Sequence, residues 1–375
     1  MFNDLASSNH VLIVGGSSGL GLALAKRLLR EHWMRNVAGQ GYFVQERERL
    51  YVTIVGRDRN KLLRATRDLI EMAKRDNVHV VNEKEDAEEN FRWPYLLSRN
   101  TSLLRVVCDA TDMEQCRRAV KDAIQWHKYV DWVVCCAGCA KPGLFMQTET
   151  SVFLEQFQEN CMTTVNPIRA VLDTQLSMLS EQESKKHAKE PSAILGGLLG
   201  GRIDLSRIVI VSSAAGLVGV PGYSHYSGSK FALRGIADTL RIEMKPYGVS
   251  THLFHASSMD TPGYEQENLS KPEVTRIIEE GEVKLWKPEE AAEHLLSGIR
   301  KGHYHITSDS NVDLLRMTMN GATPRNRSWL ETLLLPFVPL VEWYYRSRVL
   351  ERLYQQHVPK SVYEPNYPTP VLRRF

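Results

Sequence analysis

The sequence predicts an α/β fold built on a doubly wound parallel sheet, followed by a C-terminal extension that associates with membrane. Three observations lead there. Six short apolar runs rich in β-branched residues alternate with stretches of helical periodicity, the pattern of strands joined by crossover helices. A glycine-rich turn, Gly15 to Gly21, separates the first run from the first helical pattern. Beyond Asn311 the alternation stops, and apolar residues interleaved with arginines take over.

In chain order, strands are expected at residues 10–14, 51–55, 103–107, 132–135, 208–211 and 251–254. The helix at 20–30 carries apolar Leu22, Leu24 and Ala25 behind the glycine turn. The helix at 60–74 follows Asp58, a residue type that caps helix N-termini. Helices are also expected at 113–127, 152–179, 223–245 and 288–300; in the last, Pro288 suits the first turn and Glu289 and Glu290 suit the positive end of the dipole. Three polar stretches, 31–49, 82–100 and 181–205, read as exposed insertions without chemistry; the third holds Lys185, Lys186 and Lys189 before a glycine-rich 196–201.

Composition narrows the function classes. An apolar fraction of 43% is that of a globular protein, and a net charge of +3 is too small to attract nucleic acid. The six cysteines, Cys108, Cys116, Cys135, Cys136, Cys139 and Cys161, fall on or beside core elements, which predicts reduced thiols in a cytosolic compartment. Cys136 and Cys139 have redox or metal spacing, but no second Cys or His pair follows, so no metal is expected. Residues 1–9 have neither a basic flank nor a long apolar run, which argues against a secretory leader.

The chemistry-bearing residues form three groups. Gly15, Gly19 and Gly21 let a backbone turn tightly against a pyrophosphate while the following helix offers free N–H groups. At the end of the second strand, Gly56 leaves room and Arg57 supplies a positive charge for a 2′-phosphate, which favours NADPH over NADH. Tyr226 and Lys230 stand four residues apart on one helix face, where the ammonium charge would favour phenolate and bring the tyrosine into working range as a proton donor. Ser213, at the end of the preceding strand, could bind the same substrate oxygen.

With these pieces together, the chain resembles the short-chain dehydrogenase/reductase family over residues 9–263, a family with a Rossmann-type sheet. The resemblance is carried by Gly-Gly-Ser-Ser-Gly-Leu-Gly at 15–21, Tyr-Ser-Gly-Ser-Lys at 226–230 with the Phe-Ala-Leu-Arg-Gly-Ile-Ala-Asp that follows, Glu-Met-Lys-Pro-Tyr-Gly-Val at 243–249, and Asp-Thr-Pro-Gly-Tyr at 260–264. Within the family, the last three segments point to reductases of sphingolipid synthesis that act on a long-chain 3-keto amine with NADPH. The resemblance implies that Tyr226 protonates the carbonyl oxygen, Lys230 holds the nicotinamide ribose, Ser213 orients the carbonyl and Asn160 completes a water relay. It also implies a cofactor set of Gly15, Ser17, Ser18, Gly19, Leu20, Gly21, Arg57, Lys61, Asp109, Tyr226, Lys230 and Thr261, with Asp109 against the adenine and Thr261 on the nicotinamide amide. Two departures stand out: Cys135-Cys136-Ala137-Gly138 lacks the family's first Asn, and His255-Ala256-Ser257-Ser258 lacks its prolines. His225 and His255 lie nearby with local polar roles expected.

Two other readings stay open: a membrane-associated reductase or dehydrogenase of steroids, retinoids or other long-chain ketones, and a non-catalytic NADPH-binding scaffold. The C-terminal region, 311–375, is read apart from a catalytic unit at 1–310. Val312, Leu314, Leu315, Met317 and Met319 form an apolar set near Arg316, Arg325 and Arg327. The stretch 329–345 is shorter than the roughly 20 residues that span a bilayer, and Glu331, Pro336 and Pro339 interrupt it. A shallow insertion is expected, with Trp329, Trp343, Tyr344 and Tyr345 at headgroup level and Arg346, Arg348 and Arg352 on anionic lipid; the alternative is packing on its own domain or a second subunit. The resemblance further implies the endoplasmic reticulum membrane, a cytosol-facing catalytic side, and a homo-oligomer paired through the helices of Asn160 and Tyr226.

Overall fold

The computed structural model describes residues 10–38, 49–78, 80, 94–98, 100–186, 204–282, 284–319, 324–326 and 328–357. The leader expectation at 1–9, much of the three insertions, Arg327 and the chain beyond 357 lie outside the described residues. Strands β1 (His10–Val14), β2 (Leu50–Gly56), β3 (Tyr95–Ser98), β4 (Thr101–Val107), β5 (Trp132–Cys135), β6 (Arg207–Ser213), β7 (Ser250–Ala256) and β8 (His305–Thr307) form one sheet in the order β3-β4-β2-β1-β5-β6-β7-β8. Every neighbouring pair is parallel except β3 with β4.

Because crossover helices cover both faces, the central strands are mostly apolar on both sides instead of alternating, with a few buried polar residues such as His10 and Thr53 bonded to each other. On β1, Val11 and Ile13 pack with Leu24 of α1 (Gly19–Ala38), Leu69 of α2 (Arg59–Arg75) and Leu295 of the helix Pro288–Arg300. Leu12 and Val14 face the other layer, with Val120 of α3 (Met113–His127), Val171 of the helix Thr163–Lys186 and Leu233 of the helix Ser224–Glu243. Each such side chain, fully buried, contributes about 1.5–3 kcal/mol. The chain leaves β1 toward β2 on one side and has β5 on the other, so the carboxyl ends of β1 and β5 flank a topological switch point, where open α/β sheets bind ligands.

Several expected boundaries are corrected. Part of the stretch read as an insertion at 82–100 is the edge strand β3, where Arg105 stacks 4.9 Å from the Tyr95 ring centroid. Helix α1 runs on to Ala38 and so takes in the start of the insertion read at 31–49. The helix expected at 152–179 is three pieces: α4 (Thr150–Phe157), a π turn at Gln158–Met162, and α5 (Thr163–Lys186), which enters the third insertion. The π turn has local causes. Thr163 Oγ1 donates back to the Glu159 carbonyl at 2.8 Å and Thr164 Oγ1 to that of Asn160 at 3.3 Å, while Pro167 has no N–H to bond Thr163.

After α6 (Ser224–Glu243) come α7 (Pro262–Asn268), α8 (Glu273–Glu282), α9 (Pro288–Arg300), α10 (Ser310–Thr318), α11 (Ser328–Leu334), α12 (Val338–Tyr344) and α13 (Arg352–His357). The segment beyond 311 packs on the elements before it, where Val349 joins Leu144, Val274 and Ile278 in a small core, and within the segment Arg316 and Glu331 form a buried ion pair at 2.8 Å. Its other side is apolar and open, with Trp329 75% and Leu340 61% exposed. No helix among the described residues is long and apolar enough to cross a membrane.

Candidate active site

Tyr226 and Lys230 occupy the first two turns of α6, which packs against β6 through Gly216. A Cβ there would lie 2.5 Å from Ser212 Oγ and 2.9 Å from the Lys230 carbonyl oxygen, so the close approach needs glycine. Ser212 Oγ donates to that carbonyl at 3.1 Å and Lys230 Nζ donates to the Val211 carbonyl at 3.3 Å, which locks helix to strand. Ser213 ends β6 and shares a hydrogen bond with Tyr226. The Lys230 ammonium lies 5.7 Å from the Tyr226 ring centroid. Ser213, Tyr226, Lys230 and Thr261 line one cavity, together with Cys136, Gly138 and Cys139.

Asn160 belongs to this group. A Cβ on Gly138 would meet Asn160 Oδ1 at 2.6 Å and Lys230 Nζ at 3.2 Å, so the bare Gly138 backbone runs between them. The Asn160 side chain is fully tied: Oδ1 accepts from the Cys139 N–H at 3.1 Å, and Nδ2 donates to the Cys139 and Gln156 carbonyls, each at 3.0 Å. It is a buried brace and not the solvent-facing residue an ordinary helix surface would offer.

Electrostatics differ from the sequence expectation. Burial pushes the Tyr226 phenol up, the Glu267 charge adds to this, and the Ser213 hydrogen bond opposes it. Burial lowers Lys230 from 10.5 to about 8. Desolvation, acting against the charged form of each, outweighs the mutual help a tyrosine and a lysine were expected to give. Cys135, which stands where the family has its first Asn, is a buried thiol pushed up by burial and lies 3.7 Å from the Thr164 carbonyl, while the next residue, Cys136, bonds the Val14 carbonyl through its backbone N–H at 2.8 Å, so β1 and β5 stay joined without that Asn.

The glycine turn is a cradle of backbone. Gly15 and Gly19 have φ of +81° and +51°, a region that favours glycine. A Cβ on Gly15 would meet the Ala137 nitrogen at 2.7 Å, and one on Gly21 the Gly15 oxygen at 2.3 Å. Both Gly15 and Gly16 N–H groups bond the Val55 carbonyl, which turns the chain above β2 and leaves the N-terminus of α1 facing the switch point. This arrangement fits the pyrophosphate of a dinucleotide. Leu20 is a core side chain, so only its backbone is available to a ligand. Thr261 stands over the turn, its Cγ2 3.2 Å from a Cβ built on Gly19, and caps α7 by accepting from the Tyr264 N–H at 3.1 Å.

Arg57, Lys61 and Asp109 lie outside the cavity lining, Arg57 just after β2, Lys61 in the first turn of α2 and Asp109 just after β4. Arg57 has a side chain 68% exposed and touches Glu159 at 3.4 Å. Asp58 is occupied as expected: its Oδ1 accepts from the Lys61 N–H at 3.0 Å and caps α2. Asp109 accepts from Thr111 N–H and Oγ1 at 3.0 and 2.8 Å and so shapes the turn after β4. His225 and His255 have the local roles anticipated, bonding the Lys141 carbonyl and His305.

Sequence reasoning missed Tyr223, Glu267 and Glu279, which also line the cavity. Tyr223 is one helical turn before Tyr226 and could have been noticed; the carboxylates lie on helices whose short, irregular patterns carried no signal.

Two family models match the chain: short chain dehydrogenase over residues 202–271 and Enoyl-(Acyl carrier protein) reductase over 73–184. A 3-ketodihydrosphingosine reductase of Dictyostelium discoideum is 32% identical over 335 residues, covering 88% of this chain and 84% of the relative. The chain belongs to the short-chain dehydrogenase/reductase family. A 3-ketodihydrosphingosine reductase of Bos taurus is similar at 30% identity, over 84% of this chain and 75% of the relative. Among solved structures, an NADPH-bound short chain oxidoreductase of Pseudomonas aeruginosa PAO1 with an atypical catalytic center matches with a TM-score of 0.55 at 19% identity, over 81% of this chain and 97% of that one. A short chain dehydrogenase/reductase of Burkholderia phymatum in complex with NAD matches with a TM-score of 0.56 at 15% identity, over 84% and 94%. Both support the family's Rossmann-type fold.

Proposed function

We propose that this chain reduces 3-ketodihydrosphingosine to dihydrosphingosine with NADPH. The observation that carries the substrate is the likeness to 3-ketodihydrosphingosine reductases across most of the chain, at 32% identity to the Dictyostelium relative. The cavity supports it, because Tyr226, Ser213 and Lys230 open onto apolar Val312, Leu315, Val349 and Leu350, a lining suited to an alkyl tail.

NADPH, when bound, supplies the hydride that adds to the C3 carbonyl carbon. The glycine turn at Gly15, Ser17, Ser18, Gly19, Leu20 and Gly21 receives the pyrophosphate, Arg57 and Lys61 meet the 2′-phosphate, Asp109 borders the adenine, and Thr261 contacts the amide. Ser213 donates a hydrogen bond to the carbonyl oxygen, and Tyr226 transfers its proton to that oxygen as the C–O π electrons move there. Lys230 holds the ribose and stabilises the phenolate left behind, and Asn160, braced across Gly138, lies on the path by which water returns the proton.

Residues 1–310 form the catalytic unit in this reading, and 311–375 a membrane-facing region that also walls the cavity. Its open face, Trp329, Leu333, Phe337 and Leu340, suits the cytosolic surface of the endoplasmic reticulum, where a lipid ketone resides. A homo-oligomer paired through the helices of Asn160 and Tyr226 is part of the same proposal. The test is to incubate purified protein with the keto amine and NADPH or NADH in parallel. Alcohol formed faster with NADPH is expected; no alcohol with either overturns the substrate, and a clear NADH preference overturns the role of Arg57.

A further inference from the structure

We infer that Glu267 and Glu279 form the seat for the ammonium group that a 3-keto amine carries beside its carbonyl, and thereby select an amino ketone over a plain long-chain ketone. The inference rests on the function proposed above and extends it to the residues that choose the substrate.

Both carboxylates line the catalytic cavity with Tyr226 and Ser213. Tyr223 connects them to the proton donor: its one hydroxyl proton is shared between Glu267 and, at 3.0 Å, Glu279, and its ring centroid lies 5.5 Å from that of Tyr226. The carboxylates are therefore about one ring away from the catalytic phenol. In the substrate the amine-bearing carbon is bonded directly to the carbonyl carbon, so an oxygen held at Tyr226 necessarily brings the nitrogen close by.

Charge points the same way. Lys271 has a side chain 0% exposed, binds Glu267 at 3.0 Å and also Glu279, and is not among the cavity-lining residues. One lysine behind two carboxylates leaves a local excess of negative charge at this end of the cavity, away from the Lys230 ammonium, and burial pushes the Glu279 carboxyl up, so the arrangement is expensive until a cation joins it. A protonated amine balances it. The Glu267 charge also pushes the Tyr226 phenol up, so an ammonium on Glu267 would ease proton release at the moment the substrate is seated.

An independent observation also points to a polar ligand group. Ser257 lines the same cavity, is buried, and its hydroxyl has no hydrogen-bond partner among the described residues. The other acid on the cavity wall, Asp309, is consumed by the Asn311 N–H at 2.6 Å and the Trp286 indole at 3.1 Å.

The experiment compares kcat/KM for 3-ketodihydrosphingosine with that for the matched ketone lacking the amino group, in the wild type and in Glu267→Gln and Glu279→Gln. The wild type is expected to prefer the amino ketone by about 10- to 100-fold, the range of a charge-assisted contact, and each variant to bring that ratio toward one, chiefly through KM. Equal kcat/KM for the two ketones in the wild type overturns the inference, and needs no variant to fold. So does an equal loss on both ketones in the variants, which marks a structural role. If the wild type reduces neither ketone, the function proposed above falls and takes this inference with it.

Discussion

Tyr226 and Lys230 share a helix face as their spacing predicts, yet burial drives their proton affinities apart, the phenol up and the ammonium down to about 8. The sign matters for activity. Lys230 carries its charge below about pH 8 and loses it above, so kcat/KM is expected to fall as pH rises through that value, a decline that a pH profile of the free enzyme reads directly. Arg57 allows a second test at this scale. It is exposed and only loosely paired, so Arg57→Ala should raise the KM for NADPH by about 10- to 100-fold, as loss of a charged contact does, while barely changing that for NADH. Asp58 was legible as a helix cap, because Asp before a helical pattern has a local reason to be there. Glu267 and Glu279 were not legible, since what makes them notable is Tyr223 and Lys271, brought to them only by tertiary packing.

Among the elements, the central strands and α3 were readable because burial on both faces writes itself as continuous apolar runs. The strand β8 was not, being three residues, His305–Thr307, that gain their identity only by pairing with β7. Edge strand β3 hid in a polar stretch for a similar reason: β4 alone supports it. The π turn at Gln158–Met162 is the most consequential omission, since it sets the Asn160 side chain against the backbone around Cys139. Thr163, Thr164 and Pro167 carried its signal, but hydroxyl back-bonding is too common in helices to announce a π turn by itself. Gly138→Ala tests this brace. The added methyl would collide with Asn160 Oδ1 at 2.6 Å and crowd Lys230, so activity should fall about 100-fold, as misplacement of catalytic groups by an ångström does, while the melting temperature changes little. Unchanged kinetics in that variant would remove Asn160 and its brace from the account.

For the molecule as a whole, acid is the predicted weakness. His10 and His252 are lowered to about 4, His255 to about 3, and His127 and His305 to about 2, burial being the first cause in each. These groups are neutral when folded but bind protons below about 6.5 when unfolded, so the unfolded state gains protons first as pH falls. Stability should therefore drop from about pH 6.5 toward 4, by about 1.4 kcal/mol per pH unit for each independent histidine, and urea midpoints across that range measure it. A flat midpoint would show that the histidine network around Thr53 and Ser102 accepts charge. At this scale the C-terminal segment is the larger revision. The residues read as membrane-seeking divide between an apolar open face and an inward one that, with Tyr345, Val349 and Leu350, lines the catalytic cavity. An exposed apolar face and a wall of the cavity are thus joined in one segment of chain.

The central claim is hydride transfer to a sphingoid ketone with Tyr226 as proton donor. Its most direct measurement is mass spectrometry of the product formed from 3-ketodihydrosphingosine and NADPH deuterated on the transferring face of the nicotinamide. The account predicts dihydrosphingosine carrying one deuterium at C3 in the wild type, and in Tyr226→Phe a rate lower by about 10²–10⁴-fold with NADPH binding retained. Absence of labelled alcohol from a wild type that binds NADPH as well as the variant does, or undiminished turnover in Tyr226→Phe, would contradict it.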